Sequence, residues 1–412
     1  MSISQRQKNE LKRVELQHLL NGTRTALLQG SNWLVSRIAP YGPICGVKSV
    51  EYCHKALWGM YETGVDHRVL KGILDWIQTN ALRSNFDFYF EEEPRSHKDS
   101  QRIYRGATLL KVAAWLDHPL ARNESVIKRV MQYQDDSGGV FNYIGDEPKE
   151  IKKPQTIGAL DTTFFGHLMI ALKQRDRAIR AGEWVLRFVE ANAKPMRESG
   201  ILYCNMDLNG KLLTNSDSDD PNSAINLVDR AQPTWQTGTI MAYLCALYDT
   251  MRTEWGFAES EAEKFLKGTF PVIEFEDRMP YYTYFWPSKC KVAWGAGQLL
   301  RVLLKYKKGN PELIEKAYKA TKNTVVSTFI DNQLPFGGWV NEHYPLSKSI
   351  PEYHYDYKPI KGISSIPDKP TNNADVKTIY LPAEEITGEN LAEMSSGEKG
   401  IEAYLNSYID LT

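Results

Sequence analysis

The chain has 412 residues, of which 42% are hydrophobic and 25% charged, an ordinary globular balance with ample material for a large core. Fifty basic residues against 51 acidic ones leave a formal net charge of −1, so no overall field draws the protein to nucleic acid or an anionic membrane. The polar N-terminal stretch MSISQRQKNELKRVELQ lacks the apolar core of a secretory signal, and no apolar run approaches a membrane span. Five scattered cysteines (Cys45, Cys53, Cys204, Cys245, Cys290) without CxxC spacing fit free thiols in a reducing compartment. The expectation is a cytoplasmic protein without a transmembrane segment.

In chain order, residues 1–20 read as an exposed helical lead-in and 23–37 as a first amphipathic helix, stopped by YGPICG. Helices follow at 49–61, 69–78, 103–116 and 126–132. The last of these ends at a glutamine and turns through Gly138-Gly139. A helix at 160–174 opens on Leu160-Asp161-Thr162-Thr163, where Asp or Thr can cap free N–H groups, and 178–191 pairs with it. Residues 200–232 form an insertion, within which 201–213 reads as a hairpin around Asn209-Gly210. Helices at 235–249 and 261–270, then 291–305 and 311–330, give two more pairs. A polar, Pro- and Tyr-rich loop spans 345–382, and a closing helix (386–409) occupies the last segment, 383–412.

Two kinds of helix alternate. Segments such as GATLLKVAAWL, GTIMAYLCAL and AWGAGQLL are apolar all round with small residues, as befits helices buried on most faces. Their partners are half charged, as befits an outer layer. The apolar kind recurs at roughly 55–70-residue intervals, the mark of a repeat architecture. About five pairs, with the first and last helices meeting to close a sixth, predict an all-α single domain: an (α/α)6-type toroid of inner and outer helices around an axial cavity.

Gln134-Asp135-Asp136-Ser137-Gly138-Gly139-Val140-Phe141 resembles the Q-x-x-x-G-x-W repeat of squalene- and terpenoid-cyclase-like toroids, and Gln333-Leu334-Pro335-Phe336-Gly337-Gly338-Trp339 is similar, with the Trp present. Prenyltransferase β-subunits and sugar-processing barrels share this turn, so the resemblance implies fold more than function. Class II cyclases of that superfamily open an inner helix on D-x-D-D-T and protonate a polyene with its central Asp. The matching place is Ala159-Leu160-Asp161-Thr162-Thr163, which keeps one acid, so Asp161 is either the acid or only a helix cap. A literal D-x-D-D stands at Asp217-Ser218-Asp219-Asp220, in a polar loop where acids are usually solvated. No D-D-x-x-D, HExxH, P-loop, G-x-G-x-x-G or G-x-S-x-G string occurs, and no cofactor or metal is expected.

In a toroid, the starts of the inner helices and the loops before them converge at one end. This nominates Tyr52, His54, Tyr104, Arg105, Asp161, Thr162, Trp235, Gln236, Lys291, Trp294 and Glu389, with Asp229, Tyr284, Trp286 and His354 from covering loops. A lone His on an apolar helix is more often a core residue than a base. Arg105, beside the apolar GATLL, must be paired, with Asp161 as one candidate partner, or face a cavity. Asp161, Arg105, Tyr104 and His54 are the candidate catalytic groups.

Two function classes, and a third without catalysis, follow. The first is intramolecular cyclisation or isomerisation, cationic or pericyclic, of a small apolar or amphipathic isoprenoid or polyene-like molecule. The second is a sugar-processing α/α barrel: a uronate lyase, epimerase or glycosidase. The third is a non-catalytic binding barrel.

Overall fold

The structure is a computed structural model. It describes residues 5–39, 50–84, 102–141, 156–214, 224–228, 234–340 and 383–409, with the single positions 42, 44, 86, 88 and 232. Its helices are α1 (Gln5–Ser36), α2 (Val50–Glu62), α3 (His67–Asn80), α4 (Arg102–Trp115), α5 (Glu124–Met131), α6 (Ala159–Ala171) and α7 (Arg175–Lys194). They continue with α8 (Trp235–Thr253), α9 (Glu259–Lys267), α10 (Phe270–Asp277), α11 (Cys290–Lys305), α12 (Pro311–Thr324) and α13 (Ala383–Ile409).

Packing sorts these into two rings. α2, α4, α6, α8, α11 and α13 each pack on the next, and α13 returns to α2. Outside them, α1 backs α13, α3 backs α2, α5 backs α4, α7 backs α6, α9 and α10 back α8, and α12 backs α11. The all-α toroid expected from the alternation is the observed fold. The outer helix α3 buries Leu70, Ile73, Leu74 and Ile77, one stripe of helical period. The inner helix α6 buries every residue from Ala159 to Met169. Two inner seams are set by glycines. A Cβ on Gly59 (α2) would lie 2.2 Å from the Gly388 carbonyl of α13, and one on Gly238 (α8) 2.1 Å from the Lys291 carbonyl of α11.

A single turn type recurs at the ends of outer elements. It spans seven residues, and its fifth residue has positive φ: Gly42 (112°), Phe86 (66°), Gly138 (94°), Gly210 (78°) and Gly337 (95°). In each, that residue's N–H bonds the carbonyl three positions back: Ala39, Arg83, Asp135, Asp207 and Leu334. In the two glutamine copies the side chain adds a staple. Gln134 Nε2 donates to the Gly138 carbonyl (3.1 Å) and to Arg177 O on α7 (3.0 Å). Gln333 Nε2 donates to Gly337 O (2.7 Å) and to Ala26 O on α1 (2.8 Å). The N–H two positions past the positive-φ glycine, on Val140 or Trp339, donates to Thr162 or Thr387 at the start of the next inner helix. Each glutamine turn thus ties two neighbouring outer helices to one inner helix, and the Gln333 copy seals the seam at α1.

Two expectations change. The lead-in and first helix are one continuous helix from Gln5 to Ser36, because Gly22 lies mid-helix with only Ile330 near it and nothing stops the chain there. The expected 201–213 hairpin turns at Asn209-Gly210 and its arms pair beside the turn, Met206 opposite Leu212 with Leu213 N donating to Asn205 O at 3.0 Å, but its first arm also pairs beyond the hairpin. β3 (Asn205–Met206) runs antiparallel to β1 (Ile157–Gly158), and β2 (Ile201–Tyr203) to β4 (Ala224–Asn226). The Asn192 side chain holds Tyr203 N at 2.8 Å, turning β2 toward α7 instead. The acidic motif Asp217–Asp220 and the 345–382 loop lie outside the described residues.

A Cβ on Gly138 would sit 2.3 Å from Arg180 O, whereas one on Gly210 meets nothing within 4 Å. Gly138→Ala should therefore cost about 3 kcal/mol, and Gly210→Ala only about 1 kcal/mol from backbone strain. Urea denaturation of the two variants checks this; equal losses would show that the turn is not clamped on α7.

Candidate functional site

The connections leaving the inner helices are short: residues 63–66 after α2, 172–174 after α6 and 306–310 after α11. Those leading into them are long, as between α3 and α4 (81–101) and between residue 332 and α13 (333–382). Side chains on the first turns of the inner helices therefore gather at the end where the chain has length to spare for recognition.

Glu385, Glu389 and Glu393 follow at four-residue spacing on α13, so they stand on one face about 6 Å apart along it. Two lysines from the flanking helices interleave with them. Lys55 Nζ (α2) lies 2.9 Å from Glu385 Oε1 and 2.7 Å from Glu389 Oε2. Lys291 Nζ (α11) hydrogen-bonds Glu389 Oε1 and lies 3.4 Å from Glu393 Oε1. All five residues are at most 6% exposed. Tyr104 Oη reaches Glu389 Oε1 at 3.4 Å, and the His54 ring packs edge-on against Tyr104, 5.3 Å between centroids.

Three carboxylates facing two ammonium groups leave one negative charge too many. Burial opposes the charge on both lysines, but their carboxylate partners outweigh it and hold both pKa values well above the ordinary range. Burial also works against Glu389, yet Lys291 and Lys55 bring it down to about 2. Glu393 takes the surplus. Its carboxyl has the Lys291 ammonium at 3.4 Å and the Cys290 thiol beside it, and burial, only partly offset by Lys291, pushes it up to about 7. Burial and the neighbouring Lys55 hold His54 well below the usual imidazole range, so it is neutral at pH 7. Burial pushes the Cys290 thiol up as well, with the Glu393 carboxylate adding to it.

Below this row the axis is closed by aromatic rings. Trp58 meets Trp294 at 4.8 Å and Phe164 at 6.0 Å; Phe164 meets Tyr104 at 4.4 Å; His167 stacks on Trp294 at 4.8 Å. The inner ring is thus aromatic in its floor and polar toward the inner-helix starts, because the face of α13 that looks inward is acidic.

Of the nominated residues, the structure brings together His54, Tyr104, Lys291, Trp294 and Glu389. Arg105 is half-buried close by; burial lowers its pKa to about 10, while the charges of Glu385 and Asp161 act against that shift. Asp161 is buried on the first turn of α6, and the Thr162 hydroxyl is engaged with Gly158 O and Val140 N as a structural tie. Gln236 is buried and Trp235 half-buried at the start of α8. Tyr284 belongs to a separate buried group. There Glu276 is bonded by Lys289 and by Thr237 (3.0 Å), and Lys289 lies 4.9 Å from the Tyr284 ring centre. Trp286 is half-buried beyond it. The side chain of Tyr52, and Asp229 and His354 entirely, lie outside the described residues.

The sequence reading passed over Lys55, Glu385, Glu393, Trp58 and Phe164. A signal was present: the reasoning applied to Arg105 applies equally to Lys55 in CHKALWGM, and three acids at i, i+4, i+8 form a column. Cys290 Sγ and one oxygen each from Glu389 and Glu393 lie within 4.8 Å of one another, a set that could ligate a metal. Lys291 already supplies positive charge between those carboxylates. Among the described residues no helix is long and apolar enough to cross a membrane.

No protein-family model matches the chain, and no curated protein matches it in sequence. Solved structures do match in shape. D-mannose isomerase aligns over 93% of this chain and 97% of its own, with 11% identity and a TM-score of 0.53. A possible GH105-family member from Salmonella enterica serovar Paratyphi A covers 96% and 95%, at 13% identity and a TM-score of 0.49. The α-1,6-mannanase GH76A from Salegentibacter sp. covers 91% and 98%, at 10% and 0.47. At such identities the likeness speaks for the fold. The toroid implied by the Q-x-x-x-G turns is supported, but the terpenoid-cyclase-like family is not, since the turn belongs to the architecture rather than to one chemistry.

The row makes stability pH-dependent. A carboxyl whose folded pKa is raised from 4.5 to about 7 contributes stability present below pH 4.5 and lost as pH rises through 7. Glu393→Gln keeps the neutral form, so it should flatten that limb and leave the variant more stable than wild type at pH 8, by about 1–3 kcal/mol. Thermal unfolding from pH 5 to 8 checks this; a variant equally destabilised at both ends would contradict it.

Proposed function

We propose that the protein is a sugar-processing enzyme of the α/α-barrel type, acting by proton transfer on a hydroxylated carbonyl compound at the long-loop end of the inner ring. The observation that carries this reading is the buried Glu385–Lys55–Glu389–Lys291–Glu393 row beside His54 and Tyr104. Such a lining suits a polar substrate, because an apolar polyene would leave the polar groups it covers without water. That weighs against cyclisation of an isoprenoid with Asp161 as acid. D-mannose isomerase, which shares the toroid at a TM-score of 0.53, fits the same class of substrate.

The roles follow from charge. Glu393, titrating near neutrality, is the group suited to take a proton from the carbon beside the carbonyl. Lys291 and the Tyr104 hydroxyl are donors for the carbonyl oxygen as it becomes an enediolate, and returning the proton to the neighbouring carbon completes an aldose–ketose interconversion. Glu389, ionised and held by both lysines, fixes their positions. Arg105 and Asp161 at the rim are suited to hydroxyl groups, and Trp294, Trp58 and Phe164 to the C–H faces of the sugar.

The protein should catalyse deuterium uptake beside the carbonyl of one member of a panel of aldoses, ketoses and uronates in D2O, followed by proton NMR. Glu393→Gln should slow it by about 100-fold or more while unfolding cooperatively. No exchange with any member, together with a raised Tm on adding a polyene alcohol, would sink the proposal.

A further inference from the structure

Lys111, on α4, lies deeper than the acidic row and takes no part in it. It is 1% exposed, sits in a largely apolar stretch (ATLLKVAAW), and makes no hydrogen bond or ion pair among the described residues. Its ammonium is instead boxed by aromatic faces from four inner-helix positions. Nζ lies 3.9 Å from the centre of the Trp58 ring, 4.9 Å from Trp115, 5.4 Å from Trp294 and 5.8 Å from Phe164. Trp115, the outermost wall, is 36% exposed and stacks on Tyr61 at 4.8 Å, so one side of the box is a single ring reaching solvent.

We propose that Lys111 is a nucleophilic amine that forms an imine with a small aldehyde or ketone, in a pocket walled by Trp58, Trp115, Phe164 and Trp294. A lysine kept for structure is normally paired with a carboxylate or extends its head to water, and Lys111 does neither. Glu62 on α2 and Glu393 on α13 are the acids that act on it, neither within ion-pair distance; His167 from α6 and His54 from α2 are the neighbouring bases, both neutral at pH 7. Burial brings the amine down to about 7, with Glu62 and Glu393 pulling the other way, so a free lone pair is available at neutral pH.

The nitrogen lone pair attacks the carbonyl carbon and the carbonyl oxygen takes up a proton, giving a carbinolamine. The hydroxyl then leaves with a second proton as water, and the C=N bond forms. The protonated imine keeps the single positive charge that the ring faces already accommodate.

The inference does not rest on the function proposed for the acidic row, and its readout is a covalent adduct rather than turnover. Wild-type protein is treated with propanal and sodium cyanoborohydride, which reduces the imine to a stable secondary amine, and propylated lysines are mapped by peptide mass spectrometry. At pH 7.5 Lys111 should be labelled at least about tenfold faster than the surface lysines, with a rate rising through a midpoint near pH 7, where surface lysines rise near 10. The fast site should vanish in Lys111→Met. An unmodified Lys111 peptide alongside labelled surface lysines, or a Lys111 profile rising only near pH 10, overturns the assignment without needing the variant to fold.

Discussion

Glu389 between Lys55 and Lys291 is the contact on which the interior depends. A buried carboxylate needs matched positive charge, and here the two lysines arrive from helices on either side of the one that carries it. α13 therefore seats between α2 and α11 with its acidic face toward both. A shift of one turn along its axis would put Glu385 or Glu393 in its place, but it would bring Gly388 out of its contact with α2. Charge selects the face of α13 that meets its neighbours and the close glycine contact selects the register, and the agreement between levels makes a native arrangement unique.

The same contact explains why the polar groups are where they are. Lys55 and Glu389 are 334 residues apart in sequence and 2.7 Å apart in space, so the row exists only in the closed ring. Nothing in one helix pair alone could assemble it. A six-membered inner ring has a narrow axis, and large aromatic side chains fill it at the level of Trp58, Phe164 and Trp294. Polar side chains that avoid that floor are left with the end of the ring where the long connections enter.

Much of the architecture was legible because it is periodic. All-round apolar helices such as GTIMAYLCAL can only be inner ones, and amphipathic helices such as α3 only outer ones. The two Q-x-x-x-G strings mark their turns because glutamine side chain and glycine backbone both act locally. Three further copies were invisible: Phe86 stands where glycine is expected, and Ile38, Leu82 and Met206 replace the glutamine, so only geometry unites them. The site was legible in its positions more than its chemistry. His54, Tyr104 and Glu389 were found by their place at helix starts. Lys55 and Glu393 were not, because their partners lie on other helices and a single sequence carries no record of which helices meet. The hairpin around Asn209-Gly210 was legible from its turn chemistry, whereas the partners of β2 and β3 outside it, β4 and β1, were not, because they are chosen by the whole fold.

The glutamine turns separate framework from variable surface. Each one anchors the chain at Val140 or Trp339 to the next inner helix before the long connection begins, and the chain is anchored again where that helix starts. The two anchor points fix both ends of that connection on the rings. Such a scaffold lets recognition segments be lengthened, shortened or grafted from one barrel to another while the aromatic floor and the acidic row keep their coordinates.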